Sequence, residues 1–436
     1  MHVYCLAVIN DSEANDRLAL LAFKNEITQD PHGIVSSWSD KNNSLHFCVW
    51  RGVTCSRRHP TRVTGLDLNS QGLYIFLNNN SLTGNIPHEI GHLFRLSRLN
   101  LADNSLEGEI PENISHCSNL TYLDISNNKL VGRIPNELSN LSNINEMWLD
   151  YNNLSGEIPT SVGNFSSLTI LSLGHNNLQG RIPNTLSQLT NLKLLGLLYN
   201  KFSGTVPSSL YNISSLEFFG LADNQLHGSI PFDIGFTLPN LIFFSITENN
   251  FTGTIPSSFS NSSRLKILDL AANNLVGLVP YNLGNLKSLD MLQLSDNKLG
   301  SGKDNDLNFL NSLVNCTNLR FLIVGQNNFG GLLPSSIANL TTNLAELDFE
   351  RNQIYGSIPP GIENLRGLTI LDMGSNQLTG SIPLGIGLLQ NLGILDLDRN
   401  KFFCPIPSSF GNLTRLVQLY LAVNNLTGSI PSSFEK

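Results

Sequence analysis

Leu120-Thr-Tyr-Leu123-Asp-Ile125-Ser-Asn-Asn128-Lys-Leu130-Val-Gly132-Arg-Ile134-Pro135 is one copy of a pattern that recurs along the chain, and the next copy begins at Ile144. Its asparagine returns at Asn80, Asn104, Asn128, Asn152 and onward to Asn424, at intervals of about 24 residues. A single copy is too short to bury its own leucines, so neighbouring copies must bury them for it. The spacing predicts a short strand over each L-x-x-L-x-L segment, a turn at the asparagine, and a return across the outer side one level further on. Strands from successive coils then form one parallel sheet. The recurring asparagine is read as the hydrogen-bond partner of turn backbone, which makes its regularity structural rather than catalytic.

Most coils continue with Gly-x-Ile-Pro, as at Gly84-Asn-Ile86-Pro87, Gly156-Glu-Ile158-Pro159 and Gly380-Ser-Ile382-Pro383. Glycine permits close backbone approach, and proline needs no donated ladder bond. This ending resembles the plant subclass of leucine-rich repeats. The resemblance implies an α/β, plant-type leucine-rich-repeat solenoid: a curved horseshoe or superhelix with its parallel sheet on the concave face, a second strand on the flank, and an N-terminal cap.

The 436 residues carry a formal net charge of -8 with 14% charged residues, and no basic stripe recurs at the repeat period. Nucleic-acid binding is therefore not expected; the run Arg57-Arg-His-Pro-Thr-Arg62 reads as a solvated loop. Asparagine, serine, threonine and glycine dominate the polar surface. N-glycosylation sequons are dense enough to favour a secreted protein, and glycans are expected at Asn42, Asn113, Asn140, Asn164, Asn212, Asn261, Asn339 and Asn412. Of six cysteines, Cys48 and Cys55 lie close together beside Trp50 and are expected to pair as a staple. Cys117 and Cys316 share one repeat position and read as buried thiols, whereas Cys404 replaces the usual glycine of its coil and is either reactive or inert. No Cys or His cluster points to a metal, and no cofactor is expected.

Residues 1–10 hold a short apolar run, read as a signal-peptide remnant. Residues 11–62 form the expected cap, with Asn15-Asp16 starting a helix from Arg17 to Ile27 and Leu18, Leu21 and Ala22 on one face. The order Asp16-Arg-Leu-Ala-Leu-Leu-Ala-Phe-Lys24, Trp38, Cys48, Cys55 resembles the cap of plant leucine-rich-repeat receptors. Residues 63–436 form the array. It is irregular at 69–79, where too few residues remain for a full coil, and extended at 300–316, where an outer-face helix is expected from Leu307. Cap and insertion together resemble the ectodomain of the receptor-kinase subfamily that contains the rice bacterial-blight immune receptor, related to the receptors for flagellin and elongation factor Tu. Measured against that family, a chain ending at Lys436 reads as a fragment lacking the membrane helix and kinase, with an apolar end exposed on its last coil. No segment reaches the roughly 20 apolar residues that a bilayer needs.

No nucleophile turn, phosphate loop, His-Glu-x-x-His helix or kinase glycine loop is present, and no enzymatic activity is expected of the chain. Paired acids such as Asp348 and Glu350, or Asp396 and Asp398, read as solvated surface with no wall to shift their titration. Residues alternating with the strand leucines project from one open face, and from Arg98 onward none of these positions is a sequon asparagine. Tyr122, Asp124, Glu146, Trp148, Tyr151, His175, Tyr199, Phe218, Phe243, Asp348, Asp372 and Asp396 are the candidate ligand-binding residues. Trp148 heads an aromatic patch that is either a hot spot or tolerated surface. The acids Asp348, Asp372 and Asp396 line up, either to meet a basic peptide or to aid solubility.

The family resemblance implies the extracellular ligand-binding region of a receptor-like serine/threonine kinase, located at the plasma membrane in the intact receptor. It would recognise a peptide or microbial pattern in innate immunity, with a co-receptor kinase ectodomain as second partner. The alternatives are a secreted leucine-rich-repeat inhibitor of a microbial wall-degrading enzyme, or a non-functional truncated product.

Overall fold

The computed structural model describes residues 12–26, 35, 38, 46–56, 63–67, 82–93 and 96–435. The apolar run at 1–10, the loop at 57–62, the junction at 69–79, Asn42 and Asn80 lie outside the described residues. The chain divides into two compact units, Met1–Ser203 and Gly204–Lys436.

In the first unit the cap opens with a helix, Ser12–Glu26, which starts earlier than the sequence suggests. Its buried face is Asp16, Ala19, Leu20 and Phe23, while Leu18 is 63% exposed. Asp16 is thus not the helix start. Its carboxylate is buried and accepts the Val63 amide at 2.9 Å, tying the helix to the first strand of the array. Trp38 is fully buried against Trp50 and Phe23, and its indole donates to the Arg51 carbonyl at 2.9 Å. Cys48 and Cys55 form a disulfide, and the strand Val53–Cys55 pairs antiparallel with Val63–Asp67. The cap therefore occupies an edge that would otherwise offer unpaired backbone.

From Val63–Asp67 the main sheet of this unit runs parallel through Arg98–Asn100, Tyr122–Asp124, Glu146–Trp148, Ile170–Ser172 and Leu194–Gly196. Each strand pairs in identical register, Leu99 to Leu123 to Met147 to Leu171 to Leu195. Within one coil, Leu120, Leu123, Ile125, Leu130, Ile134 and Leu138 are all at most 3% exposed. Burying each such side chain is worth about 1.5–3 kcal/mol, and only the stack supplies the cover. The outer side is a short 3-10 helix per coil, such as Asn136–Asn140, begun by the proline of Gly-x-Ile-Pro. Pro135, at φ -63°, starts that turn without sacrificing a donor.

In the second unit nine parallel strands follow from Phe218–Gly220 to Gln418–Tyr420. The buried asparagines tie neighbouring coils together. Asn273 donates through Nδ2 to the carbonyls of Ile246, Leu270 and Ala271, while its Oδ1 accepts the Phe251 amide at 2.9 Å. Asn297, Asn327, Asn352, Asn376 and Asn400 repeat the arrangement. The residue before each asparagine takes a positive φ, near +50°, which turns the chain out of the strand.

The insertion interrupts this regularity on one side only. Met291–Gln293 pairs directly with Phe321–Ile323, so the main sheet passes it undisturbed. The flanking sheet ends at Lys298–Leu299 and a new one begins at Gly330–Leu332. The inserted residues form turns, with a helix confined to Leu310–Leu313 instead of starting at Leu307. Buried Asp306 fastens them, accepting from the Ser301, Lys303 and Gly330 amides and the Ser301 hydroxyl at 2.8–3.0 Å. In the last coil the apolar positions are open: Ile430 is 77% exposed where its counterpart Ile382 is 3% exposed. Among the described residues no helix is long and apolar enough to cross a membrane.

Candidate ligand-binding face

Each three-residue strand turns its middle side chain into the core and its outer two onto the open face, so two rows of side chains run across the strands. In the first unit these rows hold Arg98, Tyr122 and Glu146 on one side, and Asn100, Asp124 and Trp148 on the other. The Arg98 guanidinium lies 4.6 Å over the Tyr122 ring. Tyr122 donates its hydroxyl to Asp124 at 2.9 Å, and Asp124 also accepts the Ser126 amide and hydroxyl. Burial first, then the Asp124 carboxylate, raise the Tyr122 pKa and keep the phenol protonated. Trp148 is half-buried and donates its indole N–H to Glu146 at 3.2 Å.

The aromatic patch expected around Trp148 resolves into a narrower feature. Tyr151, His175 and Tyr199 occupy the positive-φ corner just beyond the strands and stack face to face, with ring centroids 4.0 and 4.1 Å apart. Tyr151 and Tyr199 are about half exposed. Trp148 and Tyr122 stand on the strands themselves, beside this stack rather than within it.

In the second unit the first row is apolar over five consecutive strands: Phe218, Phe243, Ile267, Met291 and Phe321 stand in register. All are half-buried, and Phe218 stacks on Phe243 at 4.1 Å with planes 4° apart. The sequence reading named both phenylalanines but missed Ile267 and Met291, which an isolated repeat presents as ordinary core residues. Their placement immediately before the buried Leu268 and Leu292 was the available signal, because a strand cannot bury two neighbours on one face.

On the strand next to Phe321–Ile323 the second row turns acidic, with Asp348, Asp372 and Asp396 side by side in the ladder. These carboxylates are not free surface, and the expectation that nothing shifts their titration is overturned. Burial comes first, offset in part by a backbone amide and reinforced by neighbouring carboxylates. It pushes Asp348 up to about 6 and Asp372 up to about 7, and raises Asp396 as well. Each Oδ1 accepts the amide two residues on, from Glu350, Gly374 and Asp398, at 2.7–2.9 Å, closing the turn that leaves the strand. Glu350 and Asp398 are turned to Arg351 and Arg399 in partly exposed pairs.

Sequon asparagines lie away from these rows. Asn113, Asn140, Asn164, Asn212, Asn261, Asn339 and Asn412 all sit in the 3-10 helices on the other side of their coils, and all but the partly covered Asn113 are exposed. Cys117 and Cys316 are buried thiols whose pKa burial raises to about 12 and 11, and Cys404 is partly exposed with φ +73°. Among the described residues no cluster of His, Cys, Asp and Glu is arranged to hold a metal.

Leucine Rich Repeat sequences match ten segments between residues 73 and 436 that together make up just over half of the chain, and the Leucine rich repeat N-terminal domain matches residues 13–56. The chain belongs to the leucine-rich-repeat family. Within that family it goes with the ectodomains of plant receptor kinases. The Arabidopsis receptor kinase HAESA, solved in complex with the peptide hormone IDA and the co-receptor SERK1, superposes with a TM-score of 0.72 at 31% identity over 98% of this chain and 76% of that one. The plant peptide hormone receptor RGFR1, solved with RGF2, gives 0.69 at 32% identity over 81% of this chain and 63% of that one. Receptor kinase-like protein Xa21 of Oryza sativa subsp. japonica is 44% identical over 85 residues, which are 20% of this chain and 8% of that protein. The chain thus aligns with only a small part of the rice relative's length.

Proposed function

We propose that this chain is the extracellular ligand-binding region of a plant receptor-like serine/threonine kinase, which recognises a peptide or a microbial pattern in innate immunity. The chain itself acts by binding. The observation that carries this reading is the unbroken apolar row Phe218, Phe243, Ile267, Met291 and Phe321, half-buried on the open face of five consecutive strands. Contiguous exposed apolar surface marks an interaction site, and aromatic side chains dominate binding hot spots. An extended ligand crossing the strands sets its apolar side chains on this row and a basic group near Asp348 and Asp372. Within the first unit, Trp148 and the Tyr151, His175 and Tyr199 stack form a candidate contact surface of their own. The structures with bound peptide hormones and a co-receptor support both a peptide ligand and a co-receptor ectodomain as partners. The ladders of hydrogen-bonded strands hold these side chains in place beforehand, which limits the ordering cost of binding.

The test is capture of partners from plant extracellular fluid and bacterial extracts by the secreted protein, compared with its Phe243→Ser, Trp148→Ala and Asp372→Ala variants. Loss of a partner with Phe243→Ser, in a protein that still folds, supports the reading. Equal recovery of every partner by all four proteins overturns it.

A further inference from the structure

On the outer side of the second unit, two phenylalanines stand almost fully in solvent. Phe232 is 84% and Phe236 68% exposed, both in the coil that contains the helix Ile234–Thr237. Nothing in the fold needs them there, since the equivalent positions of the preceding coil are Ser208 and Asn212, and those of the following coil are Ser257 and Asn261. Each of Asn212, Phe236 and Asn261 lies two residues beyond the buried anchor of its turn, which is Leu210, Ile234 or Phe259. Phe236 therefore interrupts a column of exposed asparagines and is flanked on both sides by a sequon, Asn212-Ile-Ser214 and Asn261-Ser-Ser263.

The flanking coils press closely on this one. The Gly235 amide donates to the Ser258 hydroxyl at 3.2 Å, and a Cβ on Gly235 would meet the Ser258 carbonyl oxygen at 1.7 Å. Ser262 donates to the Leu238 carbonyl at 3.0 Å, and on the other side Asn240 donates to the Ser214 carbonyl at 3.0 Å. A sugar on either asparagine has the phenylalanines within its own length. The same substitution recurs independently. Leu384 and Leu388 are 69% and 59% exposed at the corresponding positions of a later coil, and the coil after it carries the sequon Asn412-Leu-Thr414.

We infer that N-linked glycans on Asn212 and Asn261 fold over Phe232 and Phe236 and close this apolar patch. Resting on the extracellular reading above, the inference gives these two glycans a structural task beyond solubility. The apolar faces of the pyranose rings, rich in C–H bonds, cover the aromatic faces, while the hydroxyls keep the surface wet. Attachment transfers the oligosaccharide from a lipid diphosphate donor. The asparagine Nδ2 loses one hydrogen and bonds to C1 of the first sugar, the lipid diphosphate departs, and the proton passes to solvent. Asn261 donates one Nδ2 hydrogen to the Ser258 carbonyl at 2.9 Å, which leaves the other for replacement and fixes the direction of the sugar.

The test uses the whole chain secreted from plant or insect cells. Glycopeptide mass spectrometry should find Asn212 and Asn261 occupied. Asn212→Gln with Asn261→Gln should raise binding of an apolar dye at least threefold and promote self-association, and adding Phe232→Ser and Phe236→Ser should restore the wild-type values. The control pair Asn140→Gln with Asn164→Gln should leave dye binding unchanged. If the double glutamine variant fails to fold, glycosidase trimming of the folded wild type replaces it, with the double serine variant again as the insensitive reference. Bare Asn212 and Asn261 in a protein glycosylated elsewhere would overturn the inference and leave the extracellular reading standing; no occupied sequon at all would overturn both. Concentration-dependent dimerisation of the fully glycosylated protein, abolished by the serine pair, would assign the patch to a second copy and overturn the glycan cover.

Discussion

Two polar columns run through the second unit, and they do opposite things with the same repeat. The asparagines Asn327, Asn352, Asn376 and Asn400 are at most 9% exposed, and each uses both its donor and its acceptor to hold two coils together. The aspartates Asp348, Asp372 and Asp396 stand on the open face, spend one oxygen on a local turn, and crowd one another's charge. Regular spacing alone does not separate structure from recognition. What separates them is whether the side chain's hydrogen-bonding capacity is exhausted inside the fold.

The sharpest break of that contrast is Asn352→Ala. It strands the Phe329 amide and releases bonds to the carbonyls of Val324, Phe349 and Glu350. Leaving buried groups unpaired costs about 1–3 kcal/mol each, so a loss of about 3 kcal/mol or more is expected. Hydrogen exchange should localise it to the two adjoining coils, because each repeat is coupled chiefly to its neighbours.

Phe243→Ser acts on the open face instead. It removes the ring stacked on Phe218, with a stability cost of about 1 kcal/mol. Ligand affinity should fall at least tenfold, a loss of about 1.4 kcal/mol or more, as measured by titration calorimetry once a captured partner is in hand.

Asp372→Asn tests the acidic column through pH. The carboxyl titrates near 7 in the fold, against roughly 3.9 in an unfolded chain, so between those values the folded state binds the proton more tightly. Stability contributed by this site therefore falls as pH rises from about 4 and reaches its minimum above 7. The asparagine keeps the acceptor for the Gly374 amide but removes the charge. Its expected gain, discounted for partial exposure, is about 1 kcal/mol at pH 8 and close to none at pH 4. Urea denaturation at the two pH values decides this, and equal midpoint shifts would contradict it.

The smallest effect belongs to Cys404→Gly. Cys404 holds φ +73° where most coils place glycine. Relieving a left-handed residue gains about 1–2 kcal/mol, and the greater freedom of unfolded glycine returns part of it, for a net gain of roughly 0.5 kcal/mol in chemical denaturation.

Most of the fold was legible because the repeat states its own rule. Leucine spacing, the asparagine turn and Gly-x-Ile-Pro or its variants each map onto one segment of a coil. The open face was legible only where its residues differ in kind from the core. Trp148 and Asp372 announce themselves among leucines, whereas Ile267 and Met291 do not. The shifted titration of Asp348 and Asp372 was hidden for another reason. It arises first from burial and then from neighbouring carboxylates, some of them a whole coil or more away in sequence, an environment that exists only once the coils stack. Local periodicity also misread the cap, where Leu18 fits an apolar face but the helix turns Asp16, Ala19, Leu20 and Phe23 inward.

The insertion fastened by Asp306 shows what such an architecture can vary and what it cannot. Surplus chain on one side is gathered and tied off, while the strand before it and the strand after it remain next-door neighbours. Distances along the reading surface therefore change only by whole strands, in steps of about 4.8 Å. Lengthened loops alter the margins of a message whose letter spacing stays the same.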